Sequence, residues 1–377
     1  MFEIQKVKLL TVLLTGLFVS TFAACGGGSG TGSTSSSSST GGGATTTTRY
    51  NGPGSKWDFE FSSDGTFDIS KRANASSPVL FSVDGTWVTT SRGFKLLTVT
   101  AVSGTGGPSV GDVAWAVDVP GYALLLKPIE SGSDQVIPMV AAGACPTADQ
   151  NANWVIVKKA NASDATDASR DFFGTFSWNA GASTATLPMR RALDNSFTDQ
   201  GANGLGAVTC TNGLASVSDA QMYLTNNGGA IVHTQINNPN DASFIFALGQ
   251  KAITNVTNFD GTYAGMIFDG NYASGNRVIP ATMSCTGGTC TGSLLAGPQD
   301  GSAASDPWTL TLSGTVDGLG NGLITGTIRD DTSSNTGNAA CMVDVDVLGA
   351  GGKIISCVVQ SPGDNTKMGN AIFALNP

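Results

Sequence analysis

The sequence predicts an all-β protein with two or three antiparallel β-sandwich or β-barrel domains after a disordered tether. From Arg49 onward, short apolar stretches recur roughly every 8–12 residues, with turn residues between them. Several of these stretches alternate apolar and polar residues with period two, which is typical of half-buried strands. No long run places apolar residues at helical spacing.

The first hairpin is the clearest local signal. Trp57–Phe61 and Thr66–Ile69 both alternate apolar and polar residues, and Ser62–Gly65 separates them with an Asp-Gly step. Because Asp-Gly favours the tight turns of β-hairpins, these residues predict two paired antiparallel strands.

Further strand candidates continue to the end of the chain. They are 83–87, 94–102, 113–119, 122–127, 135–141, 153–158, 172–178, 184–189, 206–210, 221–225, 230–235, 243–248, 262–268, 277–285, 291–295, 308–313, 322–329, 340–348, 353–359 and 369–375. We predict three β-domains, at 49–160, 161–255 and 256–377, with the last two as one domain in an alternative division. Residues 162–170 are interpreted as a short helix or a linker.

A Gly-Thr-aromatic tripeptide occurs at Gly85, Gly174 and Gly261. It indicates duplicated β-modules, although such tripeptides also open many unrelated strands. Gly85-Thr86-Trp87 is similar to the Gly-x-Trp signature of lipocalins, which implies a calycin-like barrel with an interior ligand site. The chain departs from that family because several strands precede the tripeptide and the family's partner motifs are absent.

The N-terminus has the layout of a secretory signal peptide, which we assign to residues 1–24. Lys6 and Lys8 form a basic start, and Leu9–Ala24 is apolar or small throughout. This stretch is shorter than a membrane-spanning helix, which needs about 20 residues. An uncleaved anchor helix is the alternative.

The residues at the cleavage point are Phe22-Ala23-Ala24-Cys25. They resemble the lipobox of bacterial lipoproteins, although Phe22 stands where leucine is usual. The resemblance implies that Cys25 receives a diacylglycerol, carries an acyl chain such as palmitate, and becomes the mature N-terminus. Gly26, in place of aspartate, implies the outer membrane, at its periplasmic face or at the cell surface. Ordinary cleavage followed by a disulfide at Cys25 is the alternative.

Residues 25–48 form a flexible tether in this interpretation. After Cys25 the segment consists of glycine, serine and threonine with one alanine. A coil of this composition and length has a root-mean-square span of roughly 25–30 Å.

The chain has seven cysteines, an odd number that becomes even once Cys25 carries lipid. The other six allow 15 pairings, and sequence alone does not choose among them. We favour Cys285–Cys290 across a Gly-Gly turn, Cys341–Cys357 across a second hairpin, and Cys145–Cys210 as the remaining pair. The competing interpretation, a zinc site, lacks a second ligand pair, so no metal is expected.

Composition and motifs exclude several function classes. A net charge of −9 without a large basic cluster excludes nucleic-acid binding. The one histidine, His233, stands in a strand-like segment without a nucleophile motif. The acidic pairs Asp58/Glu60 and Asp344/Asp346 suit a solvated strand face as well as a hydrolase. We therefore expect no enzyme, no catalytic residues and no cofactor.

The expected function is that of a lipid-anchored outer-membrane or cell-surface lipoprotein with a non-enzymatic binding or structural role in the envelope. The alternative is a calycin-like barrel that carries a small ligand or glycan, and a secreted hydrolase is the less favoured third. Beyond the membrane itself, the expected partners are an envelope protein, a glycan or a small apolar ligand. The candidate ligand contacts are Trp57, Trp87, Trp178 and Trp308, for which core packing is the competing interpretation.

Overall fold

The computed structural model describes residues 45–375 except for 53–55, 75, 120, 128–136, 160–171, 181–183, 192–198, 208, 218–219, 225–228, 235–242, 252, 254, 270–276, 316–321, 348–350 and 364–367. The predicted signal peptide, most of the predicted tether and residues 162–170 lie outside the described residues. The described residues form an almost entirely β structure, which confirms the predicted fold class. Among them, no helix has the length and apolar character needed to cross a membrane.

The first sheet is an eight-stranded antiparallel barrel, here called the N-terminal barrel, which closes by pairing of its first and last strands. Its strands are β1 Thr47–Asn51, β2 Trp57–Ser62, β3 Thr66–Arg72, β4 Val79–Thr89, β5 Lys95–Gly104, β6 Val113–Val119, β7 Ala123–Lys127 and β8 Ile137–Ala141.

The second sheet is an open antiparallel sheet of nine strands, here called the middle sheet, in the order β12-β11-β10-β9-β17-β16-β15-β14-β13. Its strands are β9 Gln150–Lys159, β10 Phe172–Asn179, β11 Thr184–Arg191, β12 Asp199–Ala207, β13 Thr209–Thr211, β14 Leu214–Val217, β15 Ala220–Leu224, β16 Ala230–Thr234 and β17 Ser243–Gly249. Strand β9 pairs with β10 and β17, so the middle sheet begins before residue 160.

A second eight-stranded antiparallel barrel, here called the C-terminal barrel, follows one turn of 3₁₀ helix at Val256–Phe259. Its strands are β18 Gly261–Asp269, β19 Arg277–Thr286, β20 Thr289–Leu295, β21 Ala304–Thr315, β22 Leu323–Asp330, β23 Thr336–Val347, β24 Gly352–Gln360 and β25 Met368–Leu375.

The hairpin predicted at Asp64-Gly65 is confirmed as the turn between β2 and β3. Asp64 Oδ1 accepts hydrogen bonds from the Thr66 backbone N–H at 3.0 Å and from the Thr66 hydroxyl at 2.7 Å. Gly65 has a φ of 85°, which glycine adopts without the steric cost that a side chain would bring. The residues of β2 alternate between buried and half-buried, as their sequence pattern predicts.

Three apolar clusters hold the fold together. One fills the N-terminal barrel, a second fills the C-terminal barrel, and the third lies where the three sheets meet. In the third cluster, Trp115 of β6, Phe246 of β17 and Met342 of β23 are among the buried members. Residues 45–377 consequently form one compact unit.

The two barrels also touch through polar contacts. Between β4 and β5, the backbone N–H and the hydroxyl of Ser91 donate to Asp300 Oδ1 at 2.9 and 2.6 Å. The guanidinium of Arg92 donates to the Ser302 carbonyl oxygen at 3.0 Å. The loop between β20 and β21 is thereby fastened to the N-terminal barrel.

The three Gly-Thr-aromatic tripeptides do not occupy equivalent positions. Gly85 lies within the fourth strand of the N-terminal barrel, Gly174 in the second strand of the middle sheet by sequence, and Gly261 at the start of the C-terminal barrel. The tripeptide therefore does not mark the start of a repeated unit. The chain instead shows two barrels of eight sequential strands on either side of an open sheet.

Candidate functional site

The interior of the C-terminal barrel is lined by alternate residues of its eight strands. Each strand directs every second side chain into the barrel. On the strands that face the other sheets, the remaining side chains point outward and pack against those sheets. Tyr263, Leu310 and Phe373 belong to the inner set, whereas Met266 and Ile372 belong to the cluster between the sheets. This double burial explains why β24 is buried along nearly its whole length.

One end of this barrel is closed by the 3₁₀ turn. Phe259 is fully buried in the inner cluster, and the Tyr263 hydroxyl donates to the Phe259 carbonyl oxygen at 2.7 Å. The Gly287 N–H donates to Asp260 Oδ1 at 2.7 Å, and Lys353 Nζ donates to the Asp260 carbonyl oxygen at 2.6 Å. These contacts attach the turn to strands on both sides of the barrel end.

The opposite end contains a cavity of about 190 Å³. Its wall consists of inward-facing residues near the ends of the strands: Ile267, Ile279, Leu294, Trp308, Ile328, Val359 and Gly369. Its rim consists of residues at strand ends and in the following loops: Asp306, Pro307, Asp330, Ser361 and Pro362. We call this cavity the mouth site. Ile267 and Ile279 are direct cross-strand partners in its wall, and both are only half-buried.

Trp308 provides an aromatic surface in the wall. Its side chain is 6% exposed, and its ring lies against the backbone of Gly292, where a Cβ atom would come within 2.2 Å of the indole. The Phe373 ring lies on its other side with 5.6 Å between the ring centroids. The indole N–H has no hydrogen-bond partner among the described residues.

The two carboxylates of the rim are held by local hydrogen bonds. Asp330 accepts from the Ser333 hydroxyl at 2.8 Å and from the Thr332 N–H at 2.8 Å, and these bonds lower the pKa of Asp330. Asp306 accepts from the Ser305 hydroxyl at 3.1 Å. Its φ of 46° places it in the left-handed region, which Asp and Asn tolerate better than other side chains do. Asp330 therefore remains ionised at neutral pH.

A second depression, an open groove of about 480 Å³, lies on the outer face of the same barrel. Its lining is rich in hydroxyl groups and includes Thr262, Thr282, Ser284, Thr291 and Ser293. Among the residues that the structure describes, no aromatic side chain lines this groove. The groove thus lacks the stacking surface that sugar rings favour.

The four predicted tryptophan contacts do not form one platform. Trp57 and Trp87 lie at opposite ends of the N-terminal barrel, and Trp178 is buried in the cluster between the sheets. Trp57 and Trp87 lie beneath the ammonium groups of Lys71 and Lys95, respectively, at 4.7 and 3.6 Å from the ring centroids. Trp308 lines the mouth site, whose aliphatic residues the sequence analysis did not single out.

The cysteines form three disulfides, Cys145–Cys210, Cys285–Cys290 and Cys341–Cys357. These are the pairs that the sequence analysis favoured. The last two join directly paired residues of neighbouring strands and lie inside the C-terminal barrel. Cys25, the predicted lipidation site, lies outside the described residues.

The acidic pairs considered for hydrolysis have structural partners. Glu60 pairs with Arg49 and Asp58 with Arg72, and buried Asp344 lies 3.1 Å from Lys251 Nζ. His233 lies on β16, and its side chain is outside those described. Across the described residues, no three His, Cys, Asp or Glu side chains converge as a metal site would require.

No protein-family model matches the chain, and the comparison with curated proteins found no match. Among solved structures, the chain is similar to the crystal structure of isotype 1 transferrin binding protein B from serogroup B Neisseria meningitidis. The two share 10% identity with a TM-score of 0.27, over 84% of this chain and 65% of that chain. A likeness at this level supports no conclusion about function.

Proposed function

We propose that this protein is a non-enzymatic binding protein of the bacterial envelope that holds the apolar part of a small ligand in the mouth site. The observation that carries the proposal is the cavity at one end of a barrel whose other end is closed by Phe259. Ligand sites in small β-barrels commonly occupy the barrel mouth. The carrier function, an alternative at the sequence level, is the one that this geometry favours.

The size of the mouth site limits its ligand. An engineered apolar cavity of about 150 Å³ in another protein stays dry and binds benzene. The mouth site, at about 190 Å³, is slightly larger and has an apolar wall. It suits a molecule of a few carbon atoms beyond benzene, or one end of a longer apolar chain that leaves through the rim.

The first test measures binding of 1-hexanol to residues 25–377 carrying Cys25→Ser, a mature-length chain that needs no detergent. Burial of a six-carbon chain at about 0.8 kcal/mol per CH₂ supplies about 5 kcal/mol, which limits the Kd to about 0.3 mM at the tightest. The cost of association weakens binding from that limit into the millimolar range or above. Ligand-observed NMR titration measures Kd in this range.

Ile279→Trp should fill the mouth site and abolish 1-hexanol binding, because Ile279 lies in its wall. The matched control is Ser284→Trp, which places the same ring on the exposed outer face of the same strand. The control should bind 1-hexanol as the parent chain does. No saturable binding to the parent, or equal binding to Ile279→Trp, would contradict the proposal.

The second part of the proposal is the lipid anchor at Cys25. Its support is the sequence Phe22–Cys25 together with the pairing of all six other cysteines, which leaves Cys25 without an intramolecular partner. Disulfides also indicate an oxidising compartment. Two or more acyl chains on this residue anchor a protein stably.

Cys25→Ser should abolish metabolic labelling with palmitate and release the chain from the membrane fraction. The control is Thr45→Ser, which keeps Cys25 and lies at the start of the described fold. Unchanged labelling of Cys25→Ser would exclude the lipid anchor and leave the mouth-site proposal intact.

A further inference from the structure

The rim of the mouth site is acidic. Among the described residues, its lining contains the carboxylates of Asp306 and Asp330 and no lysine, arginine or histidine. The nearest arginine along β22, Arg329, is engaged by Asp331, with an N–O distance of 2.6 Å. The charges that face the opening of the cavity are therefore negative.

Negative charge also predominates among the described residues at this end of the barrel. In an up-and-down barrel, alternate connections meet at one end, so the described residues 296–306, 329–335 and 361–363 share the end with the mouth site. The described acidic residues of these segments are Asp300, Asp306, Asp330 and Asp331. The basic side chains beside them are Arg329 and, from the N-terminal barrel, Arg92, half as many.

The negative charge of the rim distinguishes between amphiphilic ligands that have the same hydrocarbon but different polar groups. The cavity is too small to enclose a long amphiphile, so the polar end of such a ligand lies at the rim beside Asp306 and Asp330. A carboxylate there is repelled by Asp306 and Asp330, whereas an ammonium group is attracted by both. The aliphatic side chains of the wall make no such distinction, because they contact only the hydrocarbon.

We infer that the ligand of the mouth site is a small amphiphilic amine, with its hydrocarbon in the cavity and its cationic end at the acidic rim, and that fatty-acid anions are disfavoured. This inference rests on the proposed function and names the class of ligand. It also predicts that a neutral alcohol binds with intermediate affinity, since it neither gains nor loses from the rim charges.

The test compares hexylamine, 1-hexanol and hexanoate, which share one hydrocarbon chain, by NMR titration of residues 25–377 carrying Cys25→Ser at neutral pH. One ion pair at 4 Å in a high-dielectric setting changes affinity about fivefold. Attraction for the amine and repulsion for the carboxylate together predict a Kd ratio of at least about tenfold. Because exposed charges are screened, the ratio should fall as salt rises from about 0.01 to about 1 M.

Asp306→Asn tests the source of the selectivity. Asparagine is nearly isosteric with aspartate and adopts the left-handed backbone of position 306, so the fold should be kept. The variant should reduce the amine-to-carboxylate ratio of affinities about threefold.

The outcomes separate the inference from the proposed function. If 1-hexanol binds, and hexanoate binds as tightly as hexylamine or more tightly, the amine inference is wrong and the mouth-site proposal stands. Failure of all three probes to bind overturns both. An amine preference that does not respond to salt overturns the inference, because it excludes the rim charges as its cause.

Discussion

The carboxyl group of Asp118, inside the N-terminal barrel, predicts a specific dependence of stability on pH. Asp118 is 5% exposed, its Oδ2 lies 3.6 Å from Lys95 Nζ, and its Oδ1 accepts a hydrogen bond from the Tyr50 hydroxyl. Burial raises the pKa of Asp118 to about 6, although Tyr50 and Lys95 both act in the opposite direction. Asp118→Asn removes this titration and keeps the size of the side chain.

The direction in which stability changes with pH follows from proton binding. A carboxyl group whose pKa is higher in the folded chain binds more protons when folded, so the free energy of unfolding decreases as pH rises through the interval between the two pKa values. The unfolded pKa is about 3.9, and each pKa unit corresponds to about 1.4 kcal/mol. The contribution of Asp118 should therefore fall by about 2 kcal/mol between about pH 4 and about pH 7.

The assay is urea denaturation of the parent chain and of Asp118→Asn at both pH values. Relative to the parent, Asp118→Asn should gain about 2 kcal/mol in free energy of unfolding between the lower and the higher pH. The comparison cancels the titration of other groups, including Asp68. Burial and the nearby Asp84 raise the pKa of Asp68 to about 6. Asp68→Asn is the matched control, and its effect should be smaller because Asp68 is only half-buried.

A difference between parent and Asp118→Asn that does not change with pH would refute this reasoning. A difference that changes in the opposite direction would show that the attraction between Lys95 and Asp118 outweighs the cost of burying the carboxylate. The cation–π contact between Lys95 and Trp87 is kept in the variant, so it does not enter the comparison.

Three further predictions concern the closed end of the C-terminal barrel, the disulfide of the middle sheet and the loop beside the mouth site. Phe259→Ala should lower the free energy of unfolding by about 3–5 kcal/mol in urea denaturation, because Phe259 is fully buried in the barrel end; a loss below about 1 kcal/mol would mean that the turn does not close the barrel. Replacing both Cys145 and Cys210 with alanine should cost about 4 kcal/mol in the same assay, since the disulfide spans 65 residues; unchanged stability would contradict a loop-closure role. Asp300→Ala should raise the Kd of 1-hexanol about threefold, because it releases the loop beside the mouth site from Ser91; an unchanged Kd would show that this contact does not support the cavity.

Local sequence patterns predict the strands of this protein but not the closure of its sheets. The alternation of Trp57–Phe61 and the Asp64-Gly65 turn specify β2 and β3 because both signals act between neighbouring residues. Closure of the N-terminal barrel instead requires Tyr50 of β1 to pair with Ala141 of β8. Such long-range pairing depends on the twist and stagger of all eight strands, which no short segment encodes.

The same limit explains why most of the mouth site was missed. Ile279 and Val278 are neighbours in sequence with similar side chains, yet Ile279 lines the cavity and Val278 belongs to the cluster between the sheets. Where a strand is buried on both faces, its sequence is apolar at every position, so periodicity no longer identifies the inner face. Trp308 was found because tryptophan is rare enough to be noticed individually.

The disulfides show how far such local signals reach. Cys285 and Cys290 lie on either side of a Gly-Gly turn, and Cys341 and Cys357 flank a second glycine-rich turn. A hairpin places residues at matching distances from its turn directly opposite each other, so each spacing predicts its own pair. The third pair, Cys145–Cys210, then followed by elimination, although it joins the segment before β9 to the distant edge strand β13.

The shape of the mouth site depends on more than the C-terminal barrel. The loop between β20 and β21 joins Leu294 of the cavity wall to Asp306 of its rim, and this loop accepts hydrogen bonds from Ser91 and Arg92 of the N-terminal barrel. A loop held at its middle loses less conformational entropy when a ligand binds beside it than a free loop does. Under the proposed function, the N-terminal barrel, whose own interior is filled by side chains, is therefore a support that preorganises the mouth site. The proposal then predicts that separation of the barrels would release the loop and weaken ligand binding.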